Sequence, residues 1–459
     1  MSLLIKNGEI VTASERYVAD IFCDNEIITR IDRDIAPPPG AEVIDAKGKY
    51  IFPGFIDPHV HIHLSFMGTL AKDNYETASK GALVGGTTTL IEMCAPPRSE
   101  DTLKGFEFWM RNAVGKSACD FSFHIGVTKF DRKSEKQLRQ IVKQGISSFK
   151  VYLAYKCFGL DDAELYHTLK LAKELGVIVT VHCENETLIA ELQKELLAAG
   201  KTDTGQHYKS RPPVVEAEGV HHLMTFAKLT GAATYIVHLS CREALEQAIA
   251  ARQNGVRVDI ETLIQYLTLD KTYAEKANFE GAKYIMSPPL RDKSNQPILW
   301  NGLRSGLIQT VATDHCPFDF KTQKVMGKKD FTKIPNGIPS LQDRINMLYM
   351  YGVKTGKIDL HTFVNCASTR AAKIFDLFPR KGTIQPGADA DLVVFDPHYR
   401  GTICAKTQYV NVDYNVFEGW KVEGRPSVVT VRGKVMARDG KFVGKIGHGK
   451  FLQRKPSHF

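Results

Sequence analysis

The sequence predicts an α/β fold in which a (β/α)8 TIM barrel carries a small β-sandwich domain built from both chain ends. Three observations predict it: the chain length, eight β-branched runs that alternate with helical patterns, and strand-rich termini that differ from the middle. At 459 residues, the chain exceeds what one ordinary hydrophobic core supports. A large barrel with a smaller second domain accounts for that length.

The terminal segments predict antiparallel strands. Residues 1–52 hold short strand-like runs broken by Gly, by Asp-Asn and by the Pro-Pro-Pro-Gly of 37–40, and these are turn-forming residues. Residues 381–459 show the same pattern, with ADLVVFD and SVVTVRGKVMARDG as strand candidates. Because neither end has enough strands to close a core alone, we expect both to join in one β-sandwich. The expected domains are therefore 1–52 with 381–459, and a catalytic barrel over 53–380.

The middle of the chain alternates short β-branched runs with amphipathic helical patterns. Helices are predicted over 161–176 and 242–255, each ending at a Gly that can cap it. The rival architecture is a doubly wound open sheet, but no Gly-rich phosphate loop follows the first strand. Eight strands close a TIM barrel, and eight runs occur, over 52–57, 88–93, 121–127, 146–152, 177–183, 233–239, 256–261 and 308–314.

Composition excludes several classes of protein. Hydrophobic residues make up 43% of the chain and charged residues 24%, which is typical of a globular protein. We expect no membrane association, because no apolar stretch of about 18 residues could span a bilayer. The N-terminus has no secretory pattern. Nine Cys are scattered without a C-x-x-C pair, which favours reduced thiols and a cytoplasmic location.

Part of the net charge of +9 is concentrated in the C-terminal segment. Residues 440–459 contain five Lys or Arg and no acidic residue. A nucleic-acid-binding protein more often spreads basic residues with aromatics across a folded domain. We therefore expect no nucleic-acid partner, and interpret this segment as a solvated or interface-packing tail.

Metal-ligand residue types occur at the predicted C-terminal ends of the strands, where the active sites of TIM barrels lie. Strand one ends in Asp-Pro-His-Val-His, and the i, i+2 spacing places His59 and His61 on the same side of an extended segment. A lone His at a strand end is usually structural. Several ligands at the same end of different strands instead predict a metal site. Its members are His59, His61, His182, His238 and Asp314.

Other histidines do not share that geometry. The turn out of strand one should rotate His63 away from the site. The remaining candidates for structural roles are His124, His221, His222 and His315.

Lys150 lies near the end of the fourth predicted strand. A cationic amine beside metal ions is electrostatically unfavourable, and a lysine paired with a carboxylate would be the ordinary interpretation. A buried lysine can shift to its neutral amine, which can add carbon dioxide to form an anionic carbamate. That group could bridge two metals as a carboxylate does.

These residues sit in motifs that span essentially the whole chain, among them PGFIDPHVH, GGTTTLIEM, ISSFKVYLAYK, VIVTVHCEN, YIVHLSC and VATDHCPF. With them the chain resembles the amidohydrolase superfamily, and within it the cyclic-amide hydrolases of the dihydropyrimidinase and hydantoinase type. The resemblance implies one zinc on His59, His61 and Asp314, and a second on His182 and His238. It also implies that Lys150 bridges both zincs as N6-carboxylysine.

The resemblance further implies substrate contacts. Tyr155 should hydrogen-bond the developing oxyanion, and backbone groups at Ser287 and Asn336 should hold the amide edge of the ring. The loops after strands one and four are rich in apolar side chains. In this family such loops line the pocket for the ring substituent, so we expect a hydrophobic gate formed by Leu64, Tyr152 and Phe158.

The expected reaction opens 5-substituted hydantoins and dihydropyrimidines to N-carbamoyl amino acids, with D selectivity implied by the resemblance. Two metals would lower the pKa of a bridging water enough to supply hydroxide, with Asp314 moving the proton. The ligand types also suit Mn²⁺ or Co²⁺ in place of Zn²⁺. The resemblance implies a homotetramer.

Several alternatives remain. Allantoinase would use the same metal ligands, and only the motif SFKVYLAYK and the tail favour the hydantoinase type. Dihydroorotase needs basic groups for an extra carboxylate, and a mononuclear deaminase needs no bridging lysine. The dihydropyrimidinase-related structural proteins share the fold but lack the metal ligands, all of which are present here.

Overall fold

The computed structural model describes residues 2–459. The chain begins with strands β1 (Leu3–Val11), β2 (Arg16–Asp24), β3 (Ile27–Asp32), β4 (Glu42–Asp45) and β5 (Tyr50–Pro53). β1 pairs antiparallel with β2 and parallel with β4 and β5. The turn from β2 to β3 uses Asn25 and Glu26 at φ 49 and 72. A side chain such as Asn tolerates this left-handed conformation better than most.

Eight parallel strands follow one another around a nearly closed barrel, and each overlaps one of the eight predicted runs. Val60 of the first strand bridges His315, just beyond the last strand, in parallel. The hairpin β7 (Ser65–Phe66) and β8 (Thr69–Leu70) follows the first strand. The barrel strands are β6 (Phe55–Val60), β9 (Thr87–Cys94), β10 (Asp120–Gly126), β11 (Ser148–Tyr152), β12 (Ile178–His182), β13 (Thr234–Ile236), β14 (Val258–Leu263) and β15 (Thr310–Ala312).

Helices connect the barrel strands and cover the barrel. They are α1 (Tyr75–Val84), α2 (Thr102–Ala113), α3 (Arg132–Lys143), α4 (Asp162–Leu175), α5 (Glu186–Ala198), α6 (Gln206–Ser210), α7 (Pro213–Thr230), α8 (Arg242–Gln253), α9 (Ile264–Thr268), α10 (Gln296–Arg304), α11 (Arg344–Leu348), α12 (Leu360–Val364) and α13 (Arg370–Ile374). Among residues 2–459, none of these helices has both the length and the apolar character needed to cross a bilayer.

One of the two predicted helix ends is confirmed, and the other is displaced by one residue. α4 starts from a capping box at Asp161 and stops at Gly176, whose φ of 64 is left-handed. α8 ends one residue earlier than expected, because Asn254 takes the cap and Gly255, at φ 82, then turns the chain. Glycine adopts this conformation without the steric cost of a Cβ.

The C-terminal strands complete the terminal sheet, as predicted. β16 (Leu392–Thr402), β17 (Lys421–Val431), β18 (Lys434–Arg438) and β19 (Lys441–Phe442) join β1–β5 in one nine-stranded sheet. The junction is the antiparallel pairing of β16 with β5, in which Val393 opposes Phe52. Residues from both ends share one buried cluster, including Ile5, Ile51 and Leu392. The core therefore depends on both ends of the chain.

The basic tail packs against its own barrel through its backbone and Arg454, while Lys441, Lys445, Lys450 and Lys455 remain exposed to solvent. Arg454 is 2% exposed and donates to Ser122 Oγ and to the Phe123 carbonyl on β10. The ring of Phe451 lies 5.9 Å from that of Phe123. These contacts lie toward the N-terminal ends of the strands, so the tail packs on the barrel face opposite the predicted site.

Candidate active site

One cavity lies at the C-terminal ends of the barrel strands. Phe66, Cys316 and Gly337 also line it, although the sequence did not single them out as site residues. Every residue predicted for the site lines this cavity: His59, His61, Leu64, Lys150, Tyr152, Tyr155, Phe158, His182, His238, Ser287, Asp314 and Asn336.

The first group of metal-ligand types converges on one carboxylate oxygen. His59 lies in β6, His61 just beyond it, and Asp314 two residues after β15. The Nε2 atoms of His59 and His61 lie 3.1 and 3.0 Å from Asp314 Oδ1. All three side chains are buried, and their ligand atoms lie within 4.8 Å of one another. This arrangement fits a divalent cation.

The second group is a pair of histidines on neighbouring strands. His182 ends β12, and His238 follows β13. His182 Nδ1 and His238 Nε2 lie 2.9 Å apart, so both nitrogens point to the same place. The ring centroids of His59 and His238 are 5.5 Å apart. The two groups therefore form one continuous donor set.

Burial favours the neutral, metal-binding form of most of these imidazoles. It lowers the pKa of His61 to about 4 and also lowers the pKa values of His182 and His238. Burial would lower the pKa of His59 too, but Asp314 and Glu261 outweigh it and raise that pKa to about 9. Burial would raise the pKa of Asp314, yet His59 and His61 hold it well below its usual range. The site therefore combines a carboxylate with three imidazoles that favour the neutral form, while His59 would release its proton on binding a metal.

Three predicted site residues have unusual backbone conformations. Tyr155, His238 and Asp314 have φ angles of 70, 41 and 48. Non-glycine residues rarely adopt positive φ, and such strain concentrates at functional sites. At these positions the backbone turns sharply just after a strand, which directs the side chains into the cavity.

Glu261 supports the first group and was missed by sequence analysis. It lies in β14 and is fully buried. Its Oε1 lies 2.7 Å from His59 Nδ1 and accepts the His238 backbone N–H at 2.9 Å, while Tyr235 donates to Oε2. A carboxylate behind a histidine fixes the ring orientation. The sequence signal that could have identified Glu261 is an acidic residue inside a buried strand.

Lys150 is enclosed in β11 and is 1% exposed. Burial lowers the pKa of its amine to about 8. The amine therefore loses its proton more readily than an exposed lysine, as carbamate formation requires. Lys150 Nζ lies 4.9 Å from the centroid of the Tyr152 ring.

Tyr155, Ser287 and Asn336 lie together on the wall of the cavity. Glu186 accepts the Tyr155 backbone N–H at 2.7 Å, and Asn336 Nδ2 donates to Ser287 Oγ at 2.9 Å. Burial raises the pKa of the Tyr155 hydroxyl to about 12. This hydroxyl therefore keeps its proton at neutral pH and can act as a hydrogen-bond donor.

The apolar part of the cavity includes the predicted gate and one further aromatic residue. Phe66 stacks on Phe158 at 6.1 Å between ring centroids and meets Tyr155 edge-on at 5.1 Å. Leu64 and Tyr152 belong to the same buried cluster. Phe66 lies in the loop that the sequence highlighted, but its inward orientation depends on the β7–β8 hairpin.

The remaining histidines lie outside the donor set. His63 has φ 60 and packs against Tyr75 at 5.7 Å between ring centroids, so the turn does rotate it away. His124 contacts Ser148 Oγ at 2.6 Å and the Pro58 carbonyl at 3.0 Å. His315 contacts the Asp73 carboxylate at 2.7 Å. On the surface, His221 and His222 contact Gln247 and Asp162.

Comparisons with known proteins agree with this geometry. The model of the amidohydrolase family matches residues 50–436. A D-hydantoinase of Geobacillus stearothermophilus is 48% identical over 456 residues, which is 99% of this chain and 97% of that relative.

Solved structures are similar over the full length. A D-hydantoinase (dihydropyrimidinase) from Thermus sp. is 62% identical with a TM-score of 0.98, covering 100% of both chains. A dihydropyrimidinase from Brevibacillus agri NCHU1002 is 45% identical with a TM-score of 0.97, covering 99% of both chains. The matched family model, the barrel and the strand-end donor set lead to one conclusion: the chain belongs to the amidohydrolase family.

Proposed function

We propose that this protein is a metal-dependent hydrolase that opens cyclic amide rings, namely 5-substituted hydantoins and dihydropyrimidines, to N-carbamoyl amino acids. The observation that carries the proposal is the convergence of two imidazole groups, one carboxylate and a buried lysine at one end of the cavity. Full-length similarity to D-hydantoinases and dihydropyrimidinases supports the substrate class.

In this proposal two divalent cations, Zn²⁺ or alternatively Mn²⁺ or Co²⁺, bind to these residues. His59, His61 and Asp314 hold one, and His182 and His238 the other. Lys150, as its carbon dioxide adduct N6-carboxylysine, contributes to both. Bound cations of this kind supply Lewis acidity and hydroxide at neutral pH.

The side chains of the protein perform the other steps. The Asp314 carboxylate accepts the proton of the attacking water and returns it to the leaving ring nitrogen. The protonated Tyr155 hydroxyl donates to the oxygen on which negative charge develops. Ser287 and Asn336 hold the amide edge of the ring through their backbone groups, which orients the carbonyl for attack.

The apolar wall of the cavity determines which ring substituents the enzyme accepts. Leu64, Tyr152 and Phe158, together with Phe66, offer a buried surface to an apolar group on the ring carbon next to the attacked carbonyl. We propose that this gate accepts bulky apolar 5-substituents and favours the D configuration, as the names of the D-hydantoinase relatives suggest.

A cytoplasmic homotetramer is proposed as the working form. All nine cysteines are free thiols, and seven of them are buried, which fits a reducing compartment. The tetramer rests on family resemblance. Sedimentation of the purified chain measures its oligomeric state.

The decisive experiment is hydrolysis of dihydrouracil, hydantoin, allantoin and dihydroorotate side by side, with metal analysis of the same preparation. We expect turnover of the first two and about two metals per chain. Faster turnover of allantoin would reassign the enzyme to allantoinase. Absence of both metal and turnover would favour a structural protein.

A further inference from the structure

The ammonium of Lys324 lies in the protein interior between the two segments that carry Ser287 and Asn336. The side chain is 0% exposed. Its Nζ donates to the carbonyls of Ile285, Pro335 and Gly337 at 2.8, 2.6 and 2.7 Å. All three N–H donors of the ammonium are thereby used. Burial lowers the pKa of this amine to about 7, and the three carbonyls offset part of the cost of burying its charge.

The bonded carbonyls lie within two residues of the proposed ring-binding residues. Pro335 and Gly337 flank Asn336, and Ile285 lies two residues before Ser287. The Ile285 carbonyl also accepts the Gly337 N–H at 3.0 Å. Lys324 thus joins two chain segments at the point where both reach the cavity.

The segment that carries Asn336 has little freedom to move independently of its neighbours. Gly337 has φ 146, and a Cβ built there would lie 2.4 Å from the Cys316 carbonyl oxygen. The segment that carries Asn336 therefore packs closely between Cys316 on one side and Lys324 on the other. Without the ammonium, three buried carbonyls would lose a donor and the segment would shift.

Gln323, the residue before Lys324, contacts the side of the cavity that is proposed to bind the ring substituent. Gln323 Nε2 donates to Thr69 Oγ1 and to the Leu70 carbonyl at 2.6 and 2.7 Å, on the hairpin that follows Leu64. Gln323 and Lys324 together link the substituent side of the cavity to its ring-binding side. The Lys324 amine donates only to backbone carbonyls, so it acts through the residues that it positions.

We propose that Lys324 is a positioning residue that sets the backbone of Ser287 and Asn336 for binding the amide edge of the ring. This inference rests on the proposed cyclic-amide hydrolase function. Contacts to the ring edge exist in the bound substrate and in the transition state alike, so their loss weakens binding more than it slows chemistry.

The test is Lys324→Met, which keeps the length of the side chain and removes the donors. Steady-state kinetics with dihydrouracil should show KM raised roughly tenfold or more, with kcat changed less than about threefold. Metal content should stay at the wild-type level. Lys328→Met, an exposed lysine in the same loop, is the matched control and should behave as wild type. Lys324→Arg should recover part of the affinity, because it retains the donors.

The split between KM and kcat separates positioning from general destabilisation. A merely destabilised enzyme has fewer active molecules, which lowers kcat and leaves KM unchanged. Should Lys324→Met not fold, Lys324→Gln carries the same expectations. An unchanged KM, or losses confined to kcat and metal content, would overturn the inference. A wild-type enzyme inactive on every cyclic amide would instead refute the proposed function.

Discussion

Glu261 Oε1 lies 2.7 Å from His59 Nδ1, and the opposite nitrogen of the same ring faces Asp314 Oδ1 at 3.1 Å. The carboxylate therefore determines which nitrogen of His59 is free for a metal. Glu261 also accepts the His238 backbone N–H, so one buried residue orients ligands from both groups.

Replacing Glu261 by Gln should weaken metal binding without removing a ligand. The amide keeps the shape but loses the charge that orients His59, and such changes cost about 10- to 100-fold in metal affinity. Metal titration of the apoprotein measures this. Glu246→Gln, on the exposed face of α8, is the control. Equal affinity in Glu261→Gln and wild type would contradict the orienting role.

Replacing Lys150 by Ala should lower metal content and abolish turnover, because the shared anionic ligand is lost. Short carboxylic acids such as acetate should restore part of the activity by filling the same place. Lys143→Ala, an exposed lysine in α3, should leave metal content and turnover unchanged. Mass spectrometry or crystallography showing an unmodified amine in the fully active enzyme would disprove the carbamate.

Truncation of the gate should change substituent preference. Leu64→Ala or Phe158→Ala should alter the ratio of kcat/KM for bulky against unsubstituted hydantoins by roughly tenfold, the scale of one lost apolar contact. Leu229→Ala, at a position 73% exposed, is the control. Equal losses on both substrates would indicate destabilisation of the fold, and faster hydrolysis of the L enantiomer would refute the proposed handedness.

A buried charge network should make stability depend on pH. Asp120 on β10 pairs with Lys381 at 2.6 Å and also with Arg432, which ties the barrel to the terminal sheet. Burial would raise the pKa of Asp120, but Lys381 and Arg432 together lower it. The folded pKa is thus below the unfolded value of about 4. The stabilisation is present above pH 4 and is lost as pH falls through the folded pKa.

Asp120→Asn should therefore destabilise the protein at pH 7 by about 3 kcal/mol, because a buried cation loses its partner. The difference from wild type should shrink as the pH falls below about 4. Thermal or denaturant unfolding at several pH values measures it. Asp34→Asn, an exposed residue in the loop after β3, is the control. A difference independent of pH would show that the charge of Asp120 contributes little.

Sequence alone determined the barrel and the residue types of its site. The eight β-branched runs depend on local periodicity, and each became a strand. His59 and His61 lie two residues apart in an extended segment, so their common side follows from strand geometry. The metal-ligand residues were predicted because strand ends in a barrel meet at one face, whereas Tyr155, Ser287 and Asn336 were predicted from the family resemblance.

Only the tertiary structure decided how these groups support one another. Glu261 lies 202 residues from His59 in sequence, and no local pattern pairs them. The roles of Lys324 and Phe66, and the packing of Arg454 beneath the barrel, likewise depend on contacts between distant segments. The periodicity of apolar residues predicts which face of a helix or strand is buried. Which residues pack against that face depends on tertiary packing and on the need to satisfy every buried polar group.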